Sequence, residues 1–298
     1  MEKKSFYDEI SKNRRNSWVL GIIIFSFLIG LVYIISQVFA PELSLIFLIF
    51  AGIFMLIYTY GSYMYGDRIV LAATKAKLVK EDDRRYTHLV NVVDGLSIAA
   101  GIPKPKIYVI ESEEINAFAT GRDPQHSSVA VTTGLLRNLK RNEIEGVIGH
   151  ELSHIRNYDI RFATFVAVLV GLIAILSDMF RRTLWYGGGR RDDRDRGSIL
   201  LIVGVILAIF APIIVRLVQL AISRKREYLA DSSSVQLTRY PEGLASALEK
   251  IKNINKGKMK VSEAVSHLFF TDPNKSGLDS LYATHPPLEK RIKILRSM

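Results

Sequence analysis

The residues of this chain with the clearest capacity for chemistry lie near its middle. His150, Glu151 and His154 form the pattern H-E-x-x-H within "GHELSHIRNYD", residues 149–159. On a helix at ~100° per residue, the second histidine lies ~40° and the glutamate ~100° from the first, so the three share one side. Two imidazoles one turn apart can bind one metal ion, and the carboxylate beside them can accept a proton from activated water. The pattern predicts a metal-dependent hydrolase; the alternative is a helix that merely exposes two histidines.

A helix over residues 142–161 is predicted to carry this pattern. Asn142 is a plausible N-cap, and Glu145 at the third helical position can return the hydrogen bond. An apolar stripe roughly opposite His150 can anchor the helix to a core. The stripe consists of Ile148, Leu152 and Ile155.

The third metal ligand has to come from another part of the chain. The chain has no cysteine, so the ligands are His, Asp or Glu. The metzincin pattern requires a histidine six residues after His154, but that position is Ile160. In "REYLAD", residues 226–231, Glu227 and Asp231 are four apart on a predicted helix and share a face. One can bind the metal while the other holds a ligand histidine by its second ring nitrogen. The remaining histidines are His88, His126, His267 and His285.

Two long uncharged segments near the N-terminus predict a membrane-spanning hairpin. Trp18–Ala40 would extend ~34 Å as a helix, enough to cross a hydrocarbon core of roughly 30 Å. Leu43–Tyr60 is a second such run, and only Pro41 and Glu42 separate the two. The first run is too long for a cleaved signal peptide and a second follows at once, so we predict that it is retained.

Two further apolar runs, residues 162–180 and 198–223, carry charges. Asp178 lies near the end of the first and Arg216 well inside the second, and ionisable groups at membrane depth usually face protein or water. The intervening loop, residues 181–197, contains six arginines. The lengths of the two runs favour membrane crossing, whereas the arginines between them oppose it. The sequence therefore leaves open whether these runs span the membrane.

The distribution of basic residues predicts the orientation. The first 17 residues contain five Lys or Arg, the 41–42 turn contains none, and the 66–161 segment is again basic. We therefore expect a multi-pass protein of the cytoplasmic membrane whose catalytic domain faces the cytoplasm. The formal net charge of +11 would also suit nucleic acid, but no readout module appears and the charge is spread along the membrane flanks.

The rest of the sequence predicts a mainly helical α+β fold with a small sheet. Residues 67–100 have apolar positions at helical spacing. Short β-rich runs follow at 106–112, 115–121 and 127–134. The predicted divisions are an N-terminal tail (1–17), a transmembrane hairpin (18–65), a first catalytic half (66–161), an apolar helical hairpin (162–222) and a second catalytic half (223–298).

Five motifs together give the chain a resemblance to a known family. They are the N-terminal apolar hairpin, "NAFATG" (116–121), "GHELSH" (149–154), "EYLAD" (227–231) and "THPP" (284–287). The chain resembles the HtpX family of membrane zinc metalloproteases, relatives of the CAAX prenyl endopeptidases. The resemblance implies a membrane-anchored zincin-type domain acting in protein quality control and stress response. It also implies zinc held by His150, His154 and Glu227, with Asp231 behind the ligands.

The resemblance also implies that the "NAFATG" strand, with Asn116, Ala117 and Phe118, lies along the substrate. An edge strand has unpaired backbone groups to which an extended peptide can add, although an ordinary small strand gives the same pattern. His285 precedes two prolines and is a candidate to stabilise the oxyanion, a role that the family also suggests. Arg291 is the second candidate, and surface positions are the alternative for both.

The expected reaction is hydrolysis of peptide bonds in membrane proteins or their cytoplasmic loops, with Zn²⁺ as cofactor and Glu151 as general base. A prenyl-type endopeptidase would need more spans than this chain has. The alternative outside the enzymes is a non-catalytic membrane adaptor that retains the metal ligands. Such a protein would not need the general base Glu151. Cleavage specificity and oligomeric state are left open.

Overall fold

A computed structural model of the chain describes residues 41–80, 82–168, 170–171, 224–259, 261–274 and 286–298, together with Ile22, Ile29 and Tyr33. Most of the first apolar run, about half of the third, and the whole of the loop 181–197 and of the fourth run, 198–223, lie outside the described residues, as does His285. The described part is mainly helical with one small sheet, which confirms the predicted α+β class.

The described helices are α1 (Ser44–Ala73), α2 (Thr87–Ala100), α3 (Thr133–Asn138), α4 (Arg141–Arg156), α5 (residues 159–168), α6 (Arg224–Thr238), α7 (Pro241–Ile254), α8 (Glu263–Ser266) and α9 (Leu288–Leu295). The strands are β1 (Lys77–Leu78), β2 (Lys106–Ile110), β3 (Ala117–Asp123) and β4 (His126–Thr132). Residues 170–171 are also helical.

The four strands form one mixed sheet in the order β1-β2-β4-β3. β2 and β4 are parallel, and the two outer pairings are antiparallel. Strands were predicted at the positions of β2, β3 and β4, and all three are confirmed. β3 lies at the edge of the sheet, as its predicted role in substrate binding requires.

α1, together with the three residues before it, is a candidate membrane span. The segment Pro41–Ala73 has a mean hydropathy of 2.3 over its most apolar stretch, and none of that stretch is buried. Large side chains such as Leu45, Phe50 and Ile57 are between 67% and 69% exposed, which suits a lipid environment. The predicted run Leu43–Tyr60 is therefore helical, and the helix continues 13 residues beyond it to Ala73.

The prediction of one helical stretch over 67–100 is wrong. α1 ends at Ala73, and Lys75 adopts a positive φ of 54°, a conformation that interrupts a helix. The chain then pairs β1 with β2 before α2 begins at Thr87. Apolar spacing alone could not reveal this short strand, because a two-residue strand has no readable alternation.

The predicted limits of the central helix are also wrong at both ends. α4 begins at Arg141, and the N–H of Lys140 donates to the Glu143 carboxylate at 2.6 Å. Asn142 and Glu145 therefore do not form the cap. The helix ends at Arg156 rather than at residue 161.

α4 is the centre of the fold, and glycines set how closely its neighbours approach. An added Cβ on Gly146 would lie 2.7 Å from the backbone nitrogen of Leu244 in α7. On Gly149 it would lie 2.9 Å from Ser234 Oγ in α6. The Ser234 hydroxyl donates to the Gly146 carbonyl at 2.6 Å. The two glycines thus let α6 and α7 pack directly on the helix that carries the histidines.

Replacing Gly146 by alanine should destabilise the protein, because the new methyl group meets backbone atoms of α7 that cannot move independently. We expect a loss of about 1–3 kcal/mol, the usual cost of overpacking a core. Gly95→Ala is the matched control: Gly95 lies in α2 with nothing within 4 Å of an added Cβ. Thermal unfolding of the detergent-purified protein should show a lower midpoint for Gly146→Ala only. Equal midpoints would contradict the close packing.

Candidate metal centre

Both faces of α4 are buried. The apolar stripe has the predicted position and is fully buried; it consists of Ile148, Leu152 and Ile155. On the other face, His150 and Glu151 are only 1% and 2% exposed. They line a cavity that is also lined by Glu227 of α6 and by residues 267–270. This burial excludes the alternative of a helix that exposes two unpaired histidines.

Two helices bring three metal-ligand side chains together. His150 Nε2 and His154 Nε2 are 3.1 Å apart. Glu227 Oε2 lies 3.6 Å from the first nitrogen, and Glu227 Oε1 lies 3.6 Å from the second. Two nitrogens held ~2.0–2.1 Å from one zinc ion at the tetrahedral angle are about 3.3 Å apart. The observed separations therefore suit a single ion bound by all three residues. Within the described ranges, these three residues form the group whose ligand atoms all lie within 4.8 Å of one another.

The charges around the two imidazoles favour a cation between them. Burial alone would lower the pKa of His154, but the hydrogen bond with Asp159 and the charges of Glu227, Asp159 and Glu151 raise that pKa to about 9. Each histidine has its Nδ1 atom next to a carboxylate, so the two Nε2 atoms face each other. Two lone pairs at this distance repel unless a proton or a metal ion lies between them. The donor set and its charge therefore fit the metal ion predicted from the sequence.

Asp231 lies behind His150, one helical turn after Glu227. Its Oδ1 atom is 2.9 Å from His150 Nδ1, and Arg291 donates to both of its oxygens at 2.6 and 2.9 Å. Burial would raise the pKa of Asp231, but the charge of Arg291 and the bond with His150 hold it below its ordinary value. The ionised carboxylate fixes the proton of the imidazole on Nδ1 and leaves Nε2 for a metal.

Asp159 has the same relation to His154, and the sequence reasoning missed it. Its Oδ2 atom is 3.0 Å from His154 Nδ1, and Arg226 donates to Oδ1 at 3.4 Å. The chain reverses at Tyr158, whose φ is +59°, and this turn directs Asp159 back toward the end of α4. The sequence predicted an unbroken helix to residue 161. It therefore gave no indication of this reversal or of the contact between Asp159 and His154.

Glu151 lies beside the ligands on the cavity wall. Burial raises the pKa of its carboxyl above the ordinary value, against the lowering effect of the two histidines. The carboxylate accepts a hydrogen bond from the backbone N–H of Ala119 in the edge strand. A carboxylate with a raised pKa, adjacent to a metal site, is suited to accept and return a proton near neutral pH.

The chain itself covers the predicted substrate strand. The N–H of Phe270 donates to the Ala117 carbonyl at 2.8 Å, and the Asn116 side chain bonds both backbone groups of Thr271. Phe118 is fully buried against Phe269, with ring centroids 4.9 Å apart. The edge position of this strand is confirmed, but Asn116, Ala117 and Phe118 do not present open backbone groups here. Ala119, two residues further along, lines the cavity.

The structure does not bring the second oxyanion candidate into the cavity. Arg291 is fully buried behind Asp231, with its guanidinium 4.7 Å from the Phe270 ring centroid. Its Nη1 atom lies 3.7 Å from Glu227 Oε2, so it contacts the ligands from the side away from the cavity. The remaining described histidines differ in place: His267 lines the cavity, and His88 and His126 are exposed.

Comparison with known proteins gives consistent matches. Residues 83–298 match the model of peptidase family M48. A protease HtpX homolog of Dictyoglomus turgidum is 46% identical over 100% of this chain and 96% of its own length. Another protease HtpX homolog, from Caldanaerobacter subterraneus, is 45% identical over 100% of this chain and 99% of its own. A crystal structure of S. mikatae Ste24p is 18% identical, with a TM-score of 0.49 over 96% of this chain and 67% of that one.

Removing the Asp159 carboxylate should weaken metal binding without abolishing it. We expect Asp159→Ala to lower zinc affinity about 10–100-fold, because losing the partner of a ligand histidine costs that much. A chelator competition assay measures the affinity, with Asp231→Ala as the comparison and Asp94→Ala, an exposed change in α2, as the control. An unchanged affinity in Asp159→Ala would remove Asp159 from the metal centre.

Proposed function

The chain belongs to peptidase family M48 and within it to the HtpX proteases, and on that premise we propose that it is a zinc endopeptidase of the cytoplasmic membrane. Its family implies a metal ion and polypeptide substrates. We propose zinc as the metal, and membrane proteins or their cytoplasmic loops as the substrates. The observation that carries this proposal is the convergence of His150, His154 and Glu227 with Glu151 beside them. Nothing in the comparisons supports a non-catalytic adaptor.

His150, His154 and Glu227 would hold the zinc ion as three protein ligands, a number typical of catalytic zinc sites. When bound, zinc supplies Lewis acidity, which lowers the pKa of water and polarises a carbonyl group. Glu151 then accepts the proton of the attacking water and returns it to the amine that leaves when the peptide bond breaks. Its burial and raised pKa suit both transfers.

The buried ion pairs behind the ligands hold the imidazoles in place for this reaction. Asp231, fixed by Arg291, orients His150, and Asp159, contacted by Arg226, orients His154. Arg291 in this position acts on the ligands rather than on the oxyanion. The oxyanion role proposed for His285 lies outside the described residues.

The substrate is proposed to approach the edge strand at Ala119. Its backbone N–H already bonds Glu151, which places this residue between the strand edge and the general base. The adjacent groups at Asn116 and Ala117 are bonded to residues 270–271. An extended peptide added to β3 at Ala119 would carry its scissile bond past Glu151 and the ligands.

The topology is proposed to be multi-pass, with the catalytic domain in the cytoplasm. α5 runs back along α1: Thr164 lies against Gly66, and Tyr58 OH donates to the Val168 carbonyl at 3.1 Å. The third apolar run thus begins beside the membrane helix and heads toward its lipid-facing part. The basic tail before the first hairpin supports the cytoplasmic orientation.

Glu151→Gln should retain zinc and abolish hydrolysis, because the amide keeps the shape of the side chain and cannot accept the proton. Glu227→Ala should lose most of its zinc, since a ligand is missing. Casein cleavage and metal content, measured on the detergent-purified protein after zinc is added back, test both changes. Glu145→Gln is the matched control, because Glu145 lies on α4 outside the cavity and pairs with Arg141. A Glu151→Gln variant that still cleaves casein would refute the general-base assignment.

Single cysteines should report the orientation, because the native chain has none to interfere. Glu42 and Glu111 are both exposed, the first at the start of the membrane helix and the second in the catalytic domain. In intact cells, a membrane-impermeant thiol reagent should label Glu42→Cys and leave Glu111→Cys unlabelled until the cells are lysed. Labelling at position 111 in intact cells would reverse the proposed orientation.

A further inference from the structure

The exposed surface of α1 shows where the membrane boundary falls. The segment Pro41–Ala73 would be ~50 Å long at ~1.5 Å per residue, longer than the roughly 30 Å of a hydrocarbon core. From Leu43 to Ile57 its large exposed side chains are aliphatic or phenylalanine; beyond Ile57 the large exposed side chains are Tyr60, Tyr63 and Tyr65, followed by Arg68 and Ile69. Such a tyrosine belt is typical of the headgroup region. Tyr63 comes ~9 Å along the axis beyond Ile57, so a hydrocarbon core that ends at Ile57 would place it at the level of lipid phosphates.

Two arginines from separate elements lie over the ring of Tyr63. The guanidinium carbon of Arg122 is 5.8 Å from the ring centroid, and that of Arg161 is 5.7 Å away. Arg161 also lies 5.3 Å from the centroid of Tyr158. A planar guanidinium on an aromatic face can still donate from the N–H groups at its edge to a phosphate or carboxylate.

The sheet is locally distorted where it supplies Arg122. Gly121 pairs with Ser127 and Asp123 pairs with His126, so Arg122 is the extra residue of a β-bulge. Gly121 has a φ of +142°, and a Cβ there would meet the His126 carbonyl oxygen, so the bulge depends on glycine. Bulges redirect side chains, and this one directs Arg122 toward α1, where its Nη1 donates to Met64 Sδ at 2.9 Å and lies 3.5 Å from the Met64 carbonyl.

The bulge also ties the second arginine to the first. Arg161 Nε donates to the Arg122 backbone carbonyl at 2.7 Å, which fixes the Arg161 side chain against the bulge. Asp123 lies 3.5 Å from Arg122 Nε but already accepts from the N–H of His126 and contacts its ring. Arg161 forms no ion pair with a carboxylate of the described ranges. Within the described ranges, the ion pairs of these two half-buried cations thus amount to one, between Arg122 and an Asp123 that also bonds His126.

We propose that Arg122, Arg161 and Tyr63 bind the headgroup phosphate of an anionic phospholipid. The phosphate lies between the two guanidinium groups, the acyl chains lie along the exposed apolar side of α1, and Tyr63 lies at the boundary between them. Because the proposed site lies at the level of the lipid headgroups, we assign its ligand to a lipid rather than to a soluble anion. Since Arg161 follows Asp159 by two residues, the bound lipid also restrains the segment that orients His154.

Native mass spectrometry of the full-length protein in detergent tests the proposal, with dioleoyl phosphatidylglycerol and dioleoyl phosphatidylcholine titrated separately. The wild type should bind one phosphatidylglycerol more tightly than phosphatidylcholine. The double variant Arg122→Gln/Arg161→Gln should bind it about 10-fold or more weakly, since a surface arginine contributes about 1 kcal/mol, or roughly 5-fold, toward an anionic lipid. Arg137→Gln/Arg141→Gln removes the same charge from exposed positions in α3 and α4 and should change nothing.

Three results would overturn the proposal. They are equal affinity of the wild type for the two lipids, equal loss in both double variants, and displacement of phosphatidylglycerol by inorganic phosphate at matched concentration. The third would mean a site for free phosphate. Zinc content shows whether the double variant is folded. If it is not, Arg161→Lys keeps the charge and removes the planar fork, and it should still weaken phosphatidylglycerol binding. Full retention in that variant would also refute the site.

Discussion

The packing of α4 against α6 is the contact on which the metal centre depends. The two helices carry all three proposed ligands, yet some 70 residues of chain separate them. Gly149 lets α4 approach α6 closely at Ser234, and that serine bonds the Gly146 carbonyl. Once this contact forms, Glu227 and Asp231 have to face His150, because residues four apart share one side of a helix. A shift of a few tenths of an ångström here would move one ligand relative to the other two.

Close packing brings carboxylates and imidazoles into a nearly dry space, so their charges have to be balanced. Arg291 balances Asp231, and Arg226 contributes to the balance of Asp159. Deleting one partner of a buried pair typically costs about 3–5 kcal/mol, because the other charge remains buried without compensation. Between these two pairs, Glu227 and Glu151 face the histidines and raise the pKa of His154. A dication at the proposed ligands would complete this charge balance, so metal binding and folding of the site are expected to be coupled.

Residues that act through local spacing could be read from the sequence, and residues that act through distant contacts could not. The spacing of His150, Glu151 and His154 fixed their common side, and the β-rich runs predicted three of the four strands. Asp159 was missed because its role depends on the reversal at Tyr158, a backbone conformation that the surrounding residue types do not indicate. The cover over Asn116 and Ala117 was missed for a similar reason, since it comes from a segment about 150 residues further along the chain. Two-residue strands and covered edges are set by tertiary contacts, which periodicity does not encode.

The segment after α4 connects the metal centre to the membrane. It begins with Asp159 behind His154, continues through Arg161 on the Arg122 carbonyl, and reaches Thr164, which bonds the edge strand and fills the space above Gly66. Four residues later, Val168 accepts a hydrogen bond from Tyr58 of α1. Each of these contacts joins the segment to a different partner, so they act as successive fixed points along one helix. The orientation of a ligand histidine is thereby tied, through side chains on a single short helix, to the position of the protein in the bilayer.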